Sequence, residues 1–142
     1  MLTDLIIPVI RLEAHFSRAG EAIAATAGQT LARWLTLEMV AGEPATVADV
    51  ARRLGLTRQS VQRIADLLER DGLTEYAENP HHLTSRFVRL TPRGRQRLRE
   101  IQAAQRAWSN GVGAKIGEAS LRHASRVVDQ LTRVLVESST AK

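Results

Sequence analysis

Residues 46–72 read TVADVARRLGLTRQSVQRIADLLERDG, and this segment indicates two short helices joined by a tight turn. In its second half, apolar side chains recur at the i, i+3, i+4, i+7 spacing of one buried helical face. These side chains are Val61, Ile64, Ala65 and Leu68. The opposite face is polar and carries Gln59, Gln62, Arg63 and Asp66. The segment therefore predicts a helix-turn-helix whose second helix presents a polar surface.

The ends of both helices carry residues suited to helix termini. Thr46 begins the first helix in a capping-box-like pattern with the acid three residues later. Gly55 can close that helix in the left-handed conformation, and Thr57 can cap the next one. Leu56, between them, is expected to turn into the core. Taken alone, this pattern also fits an ordinary helical hairpin. The residues after Gly72 are needed to distinguish a helix-turn-helix from such a hairpin.

After Gly72 the hydrophobic period changes from helical to β. Residues 73–77 and 86–90 are two short β-prone runs, and the residues that join them contain the turn signal Asn79-Pro80. We interpret this hairpin as a wing long enough to reach a DNA backbone or minor groove, with a plain hairpin over the core as the alternative. The predicted fold class is mainly α with a small β-hairpin wing, a winged helix-turn-helix lobe on a helical dimerisation base.

Further helices are predicted on both sides of this lobe. We expect helices over 4–26, 30–41 and from Pro92 onward, a hinge or bend at 110–113, and a last helix over 118–137. Both terminal helices carry apolar residues spaced by three and four. A chain of 142 residues with a small winged core cannot easily bury two such seams, and a homodimer resolves this.

The domain organisation follows from these elements. Residues 1–29 and 110–142 are predicted to form a helical dimerisation region, and residues 30–109 the winged helix-turn-helix region. Within the latter, Thr46–Gly72 is the helix-turn-helix and Leu73–Thr91 is the wing, followed by a linking helix.

The composition excludes several classes of chemistry. There is no cysteine, which excludes disulfides and thiolate sites. His81 and His82 are adjacent without a third ligand at plausible spacing, so no metal site is expected. No glycine-rich phosphate loop and no Ser-His-Asp arrangement is present, so we expect no catalytic residue, no cofactor and no enzyme.

The first residues lack a basic region, and their apolar run is broken by Pro8. We therefore expect neither a signal peptide nor a membrane span, and we expect a cytoplasmic protein.

The positive charge is concentrated around the helix-turn-helix. The formal net charge is +5, and 18 of the 20 basic residues are arginine. Residues 52–99 hold 11 arginines and 5 acids, whereas the remaining chain holds 9 basic and 10 acidic residues. Such clustering is the electrostatic footprint of a nucleic-acid-binding protein.

Several stretches together resemble the MarR family of bacterial transcriptional regulators. They are 46–63, 71–73, 79–80 and 88–94. The resemblance implies a dimer of winged helix-turn-helix lobes that binds a pseudo-palindromic operator in double-stranded DNA. It also implies, for many members, release of DNA when a small aromatic or anionic effector enters a crevice between base and lobe.

The resemblance places DNA contacts on the second helix of the motif. The expected residues are Arg58, Gln59, Ser60, Gln62 and Arg63. Because arginine can pair with guanine and glutamine with adenine, we expect Arg63 at a base edge, and Arg58 with Ser60 at phosphates. Arg52 and Arg53 are expected near the DNA backbone. Asp66 and Arg70, four residues apart, are expected to form a surface pair.

Two further expectations concern the wing and an effector. Family members usually carry one or two arginines at the wing tip, where this chain reads His81-His82-Leu83-Thr84, so Arg86 is the nearest substitute. Candidates for an effector crevice are Arg11, His15 and Trp34.

The predicted function is a DNA-binding transcriptional regulator, a repressor, acting as a homodimer. The alternative is a winged-helix protein-interaction module that does not touch DNA.

Overall fold

The computed structural model describes residues 1–140, and in this range the chain forms six helices and three short strands. In chain order they are α1 (Leu2–Ala25), α2 (Leu31–Met39), β1 (Ala45–Thr46), α3 (Val47–Leu54), α4 (Arg58–Arg70), β2 (Thr74–Ala77), β3 (Phe87–Leu90), α5 (Pro92–Ile116) and α6 (Glu118–Thr140). Residues 1–105 make one compact unit, and the described residues from Arg106 to Thr140 belong to another. The mainly helical fold class with a small sheet is as predicted.

The core of the first unit lies where α2, α3 and α4 meet the sheet. Leu37 of α2 and Leu68 of α4 are fully buried, as is Ile101 of α5. Each such side chain contributes about 1.5–3 kcal/mol relative to exposure. The predicted apolar face of α4 points inward, with Ile64 half-buried and the other three residues buried.

The expected burial of Leu56 is wrong, because its side chain is 41% exposed. Its backbone N–H closes the last turn of α3 by donating to the carbonyl of Ala51 at 2.9 Å. The preceding Gly55 takes the predicted left-handed conformation, with φ of +66°. The residue is therefore held by its backbone at the corner between α3 and α4, where its side chain meets solvent.

The sheet is antiparallel in the order β1-β3-β2. β2 and β3 form the predicted hairpin, which pairs Thr74 with Leu90 and Ala77 with Phe87. The two-residue strand β1 adds a third, unpredicted strand to the sheet, pairing Thr46 with Phe87. The same Thr46 caps α3, since its Oγ1 accepts from the Asp49 N–H at 3.1 Å and the Asp49 carboxylate accepts back from the Thr46 N–H.

The start of α5 packs against the start of β2. Thr91 caps α5 as predicted, accepting from the Gly94 N–H at 3.0 Å while donating its hydroxyl to the Gly72 carbonyl at 2.7 Å. A Cβ at Gly94 would lie 1.9 Å from the Leu73 carbonyl oxygen, so only glycine fits there. The predicted hinge at 110–113 is wrong, because α5 continues to Ile116 and the chain turns at Gly117, with φ of +92°. Glycine lowers helix stability but keeps both backbone hydrogen-bonding groups, so a helix can run through it.

The helices near the two ends of the chain expose much apolar surface. In α1, which runs through Pro8, only Gly20, Ile23 and Ala24 are buried, whereas Leu5 and Leu12 remain 43% and 52% exposed. In α6, no side chain described over 118–139 is buried.

Candidate nucleic-acid interface

The polar face of α4 is solvent-exposed along its N-terminal half. Thr57 caps the helix, and its Oγ1 accepts from the Ser60 N–H at 3.1 Å. All five residues assigned to DNA on this helix are exposed, namely Arg58, Gln59, Ser60, Gln62 and Arg63. Because Val61, Ala65 and Leu68 are buried against the core, the rotation of α4 about its axis is fixed, and this face can only point outward.

The arginines around this face differ in how their charge is used. Within residues 1–140, the ion pairs of the lobe involve Arg33, Arg52, Arg70, Arg89 and Arg97, and neither Arg58 nor Arg63 takes part in one. Arg58 and Arg63 therefore keep their full charge for an anionic partner.

The two arginines at the end of α3 are both exposed, and within residues 1–140 only Arg52 of the two has a carboxylate partner. Arg52 Nη2 lies 2.8 Å from Asp49 Oδ1. Hydrogen bonds from the Thr46 hydroxyl and then from Arg52 hold the pKa of Asp49 below its ordinary range. Asp49 therefore stays ionised near neutral pH and offsets part of the charge that Arg52 would bring to a phosphate.

A hydrogen-bonded cluster joins α4 to the wing. Tyr76 of β2 donates its hydroxyl to Asp66 Oδ1 at 2.5 Å, and Gln62 Nε2 donates to the Tyr76 hydroxyl at 2.7 Å and to Asp66 Oδ1 at 2.9 Å. Partial burial and the nearby Asp66 carboxylate raise the pKa of Tyr76 well above its ordinary value. The expected pairing of Asp66 with Arg70 is wrong, because Asp66 faces Tyr76, and Arg70 Nε lies 3.8 Å from Asp71 Oδ1.

Tyr76 was not among the predicted site residues, although the sequence contains a signal for it. Successive side chains of a strand alternate between its faces, so Tyr76 shares a face with the buried Thr74, and β2 packs against α4. Gln62 and Asp66, four residues apart, form one row on α4. The position of Tyr76 on the face of β2 that packs toward α4 could thus have predicted a contact between its hydroxyl and the Gln62–Asp66 row.

Arg86 lies at the base of the wing and not at its tip. Its guanidinium carbon stands 4.4 Å from the centroid of the Tyr76 ring, a cation–π contact. Together with Gln62, Ser85 and Val47, these two residues line a groove between α4 and the wing. The structure thus brings Arg86 beside the polar face of α4.

The wing tip is ordered by one buried asparagine. Asn79 is 6% exposed, and its side chain donates to the Ser85 carbonyl at 2.9 Å and accepts from the His81 N–H at 3.0 Å. In the loop held by these hydrogen bonds, the side chain of Leu83 is 92% exposed. The tip therefore presents an apolar side chain where an arginine is usual in the family that the sequence resembles.

The three effector candidates occupy different environments. Arg11 and His15 are exposed on α1, where Arg18 Nη2 lies 3.1 Å from His15 Nδ1. Trp34 is 6% exposed, and its indole N–H donates to Glu38 Oε1 at 3.0 Å. Glu38 also accepts from Gln102 Nε2 at 3.1 Å.

The described part of the chain contains neither a metal-binding cluster nor a membrane-spanning helix. Residues 1–140 include no group of three or more histidine or acidic side chains placed to hold a metal ion. None of the helices in that range combines the length and the apolar character needed to cross a bilayer.

Taken together, a capped second helix with a polar outer face and a hairpin beside it define a winged helix-turn-helix protein. The family model described as the MarR family matches residues 27–83. The uncharacterized protein Rv2011c of Mycobacterium tuberculosis is 40% identical over 135 residues, which is 95% of this chain and 92% of that protein. The chain belongs to the MarR family of transcription regulators, which are DNA-binding proteins and not enzymes.

Solved structures share this fold over nearly the whole chain. The MarR family transcription regulator SP03579 is 26% identical, with a TM-score of 0.82 over 99% of this chain and 96% of that one. Staphylococcus aureus MarR in complex with salicylate and kanamycin is 17% identical, with a TM-score of 0.84 over 95% and 92%. The M. tuberculosis regulator MOSR in complex with DNA is 21% identical, with a TM-score of 0.69 over 91% and 96%. The latter two likenesses concern the fold alone.

Proposed function

We propose that this chain binds a pseudo-palindromic operator in double-stranded DNA as a homodimer, with one α4 helix in each of two successive major grooves. The observation that carries the proposal is the exposed polar face of α4, held outward by the buried residues behind it. A helix of this kind fits the major groove of B-DNA, where base pairs differ in their donors and acceptors. The solved complex of MOSR with DNA supports the same use of the fold.

The residues of the interface take distinct roles in this proposal. Arg63, in the second turn of α4, reaches a base edge and can pair with guanine. Arg58 and Ser60 lie in the first turn, where the positive end of the helix dipole favours a phosphate. Arg52 and Arg53 reach the backbone of the same DNA from the end of α3. Arg86 approaches the DNA from the base of the wing, held on the Tyr76 ring.

A homodimer is part of the proposal because of the apolar surface on α1 and α6. Side chains at the N-terminal end of α1 are about half exposed, among them Leu5, Val9 and Leu12. On α6, Val128 and Leu135 are 57% and 59% exposed. Exposed apolar surface of this extent marks a protein contact, and a symmetric pair of subunits covers it. Residues 1–29 and 110–142 remain the predicted dimerisation region.

Repression and release by an effector complete the proposal. Where the operator overlaps a promoter, a dimer bound across two successive grooves excludes the polymerase, and we propose repression on this basis. The S. aureus MarR structure with salicylate supports a small aromatic or anionic effector. Its proposed contacts are Arg11, His15 and Trp34. In thermal-shift measurements salicylate should raise the Tm of the wild type and not of Arg11→Ala; an equal rise in both would remove Arg11 from the site.

The function is tested by selecting bound sequences from random DNA duplexes. We expect an enriched pseudo-palindrome with half-sites about one helical turn apart. If about six to ten phosphates are neutralised per dimer, affinity should fall roughly 10³–10⁵-fold between about 50 and 200 mM salt. Failure to enrich any duplex at low salt would contradict DNA binding. The protein-interaction alternative would require an apolar or acidic face on α4, and the observed face is neither.

A further inference from the structure

The side-chain amide of Gln62 is held in one orientation by its neighbours. Its Nε2 lies 2.9 Å from Asp66 Oδ1 and 2.7 Å from the Tyr76 hydroxyl oxygen. An ionised carboxylate only accepts hydrogen bonds, so the nitrogen of the amide and not its oxygen must face Asp66. The Tyr76 hydroxyl donates its one proton to the same Asp66 oxygen. Its oxygen therefore accepts the hydrogen bond from Gln62 Nε2. These two acceptor oxygens lie 2.5 Å apart, so the Gln62 amide can direct one N–H to each of them.

With both N–H groups directed at this pair of oxygens, the atom that Gln62 has left for DNA is its carbonyl oxygen, a pure acceptor. We propose that Asp66 and Tyr76 are positioning residues that make Gln62 an acceptor-only reader of the bases, an inference that rests on the proposed function. In the major groove the amino donors are adenine N6 and cytosine N4, whereas guanine O6 and thymine O4 are acceptors. Gln62 therefore selects an amino-bearing base over a keto-bearing one at the position it faces.

This reading differs from the usual pairing of glutamine with adenine. That pairing is bidentate, because the amide accepts from N6 while donating to N7. In this chain the donor for N7 would have to be withdrawn from Asp66 or from Tyr76. Withdrawing it from Asp66 removes one partner of a carboxylate beside a polyanion. Adenine and cytosine are therefore accepted with similar affinity.

The geometry of the cluster also resists rearrangement. Gln62 and Asp66 are four residues apart on α4, so their spacing is set by the helix. Tyr76 is fixed by the pairing of β2 with β3, and its ring is only partly exposed. The Arg86 guanidinium carbon lies over the Tyr76 ring, 4.4 Å from its centroid. Tyr76 therefore reaches α4 from a rigid strand and not from a mobile loop.

The test begins with selected duplexes and the Gln62→Ala variant. The base pair at which Gln62→Ala loses discrimination is the one that Gln62 faces. Affinities are then measured for the four bases at that position. For the wild type we expect adenine and cytosine within about threefold of each other, and both roughly fivefold or more tighter than guanine and thymine. Tyr76→Phe keeps the ring, frees one Gln62 N–H, and should raise adenine over cytosine by roughly fivefold or more.

The matched control is Arg86→Ala, which removes the cation above the ring and leaves the hydrogen bonds of Gln62 in place. It should weaken binding to all four duplexes without changing their order. A wild-type preference for adenine over cytosine of about tenfold would overturn the proposal. So would an unchanged base order in Tyr76→Phe, or the absence of any position at which Gln62→Ala matters. In those three cases DNA binding itself stands, whereas failure to select any duplex removes both proposals.

Discussion

At Gly94 a single hydrogen atom in place of a methyl group decides whether α5 can start where it does. A Cβ there would lie 1.9 Å from the Leu73 carbonyl oxygen, which belongs to the backbone and cannot swing aside. We expect Gly94→Ala to lower the free energy of unfolding by about 1–3 kcal/mol or more. The measurement is equilibrium unfolding in urea.

The chain provides its own control for that substitution at Gly111. This residue is also in α5, and an added Cβ would meet nothing within 4 Å. Gly111→Ala should therefore raise the free energy of unfolding by about 0.5–1 kcal/mol through higher helix propensity. Equal effects at both positions would show that the contact with Leu73 is unimportant.

Arg33 and Asp71 form the ion pair that ties α2 to the end of α4, with Nη2 and Oδ2 2.5 Å apart. The hydrogen bond from Arg33 holds the pKa of Asp71 below its ordinary value of 3.8. A carboxyl with a lowered pKa stabilises the fold above its unfolded pKa and loses this contribution as pH falls through the folded one.

Asp71→Asn should therefore lower the Tm at neutral pH, and its difference from the wild type should shrink below about pH 4. Thermal unfolding recorded across this range checks the expectation. Glu43→Gln, which removes an exposed acid from a loop, is the comparison. A constant difference between Asp71→Asn and the wild type at every pH would rule out the ionised pair as the cause.

Arg63 is the residue on which we expect sequence discrimination to depend most. Arg63→Ala should weaken binding to the selected operator by about 1–3 kcal/mol, because a bidentate contact to guanine is lost. Binding to random duplexes should fall less. Fluorescence anisotropy on both kinds of duplex makes the comparison, with Arg99→Ala on α5 as the control. Equal losses on both duplexes would assign Arg63 to a phosphate.

At the scale of elements, the wing tip lacks the positive charge that an arginine usually supplies at this position in the family. Leu83 is 92% exposed on a loop ordered by Asn79, so a longer cationic side chain can replace it without disturbing the core. Leu83→Arg should raise DNA affinity and steepen the slope of log K against log salt by about 0.9 for each phosphate newly neutralised. Leu83→Gln, polar but uncharged, should leave the slope unchanged. If the arginine variant does the same, the tip does not reach DNA.

The elements that local patterns could predict are those stabilised by near neighbours. The helix-turn-helix followed from caps and apolar spacing, because Thr46, Gly55 and Thr57 act on residues within one turn. The hairpin followed from its two β-prone runs. The polar face of α4 followed from the buried side of the same helix.

The elements that were missed depend on partners far along the chain. β1 is two residues long and exists because it pairs with Val88 and Phe87, about forty residues later. The same holds for Tyr76, whose role depends on two α4 side chains that face it. The hinge predicted at 110–113 failed for a different reason, because glycine content alone does not end a helix.

For the whole molecule, we expect assembly and DNA binding to be lost together. Replacing Leu5 and Leu12 with glutamate places charges on the apolar face of α1, where a partner subunit would have to bury them. Sedimentation equilibrium should then report a monomer. Operator affinity should fall by about 10²–10⁴-fold, because the two half-sites are no longer bound by one particle.

Glu13→Gln, an exposed polar exchange on the same helix, should leave both mass and affinity unchanged. A double variant that stays dimeric would move the subunit contact elsewhere on the chain. A monomer that binds the operator undiminished would show that one lobe is sufficient.

Thr46 belongs to two structures at once, since it pairs with Phe87 in the sheet and closes the first turn of α3. Valine would keep the branched shape favoured in a strand but lose the hydroxyl, and serine would keep the hydroxyl but lose the branch. In a saturation library screened for activity, this position should be among the least permissive outside the DNA contacts. Evolutionary drift in the wing and in the helix pair is thus coupled through one residue, by its backbone on one side and its hydroxyl on the other.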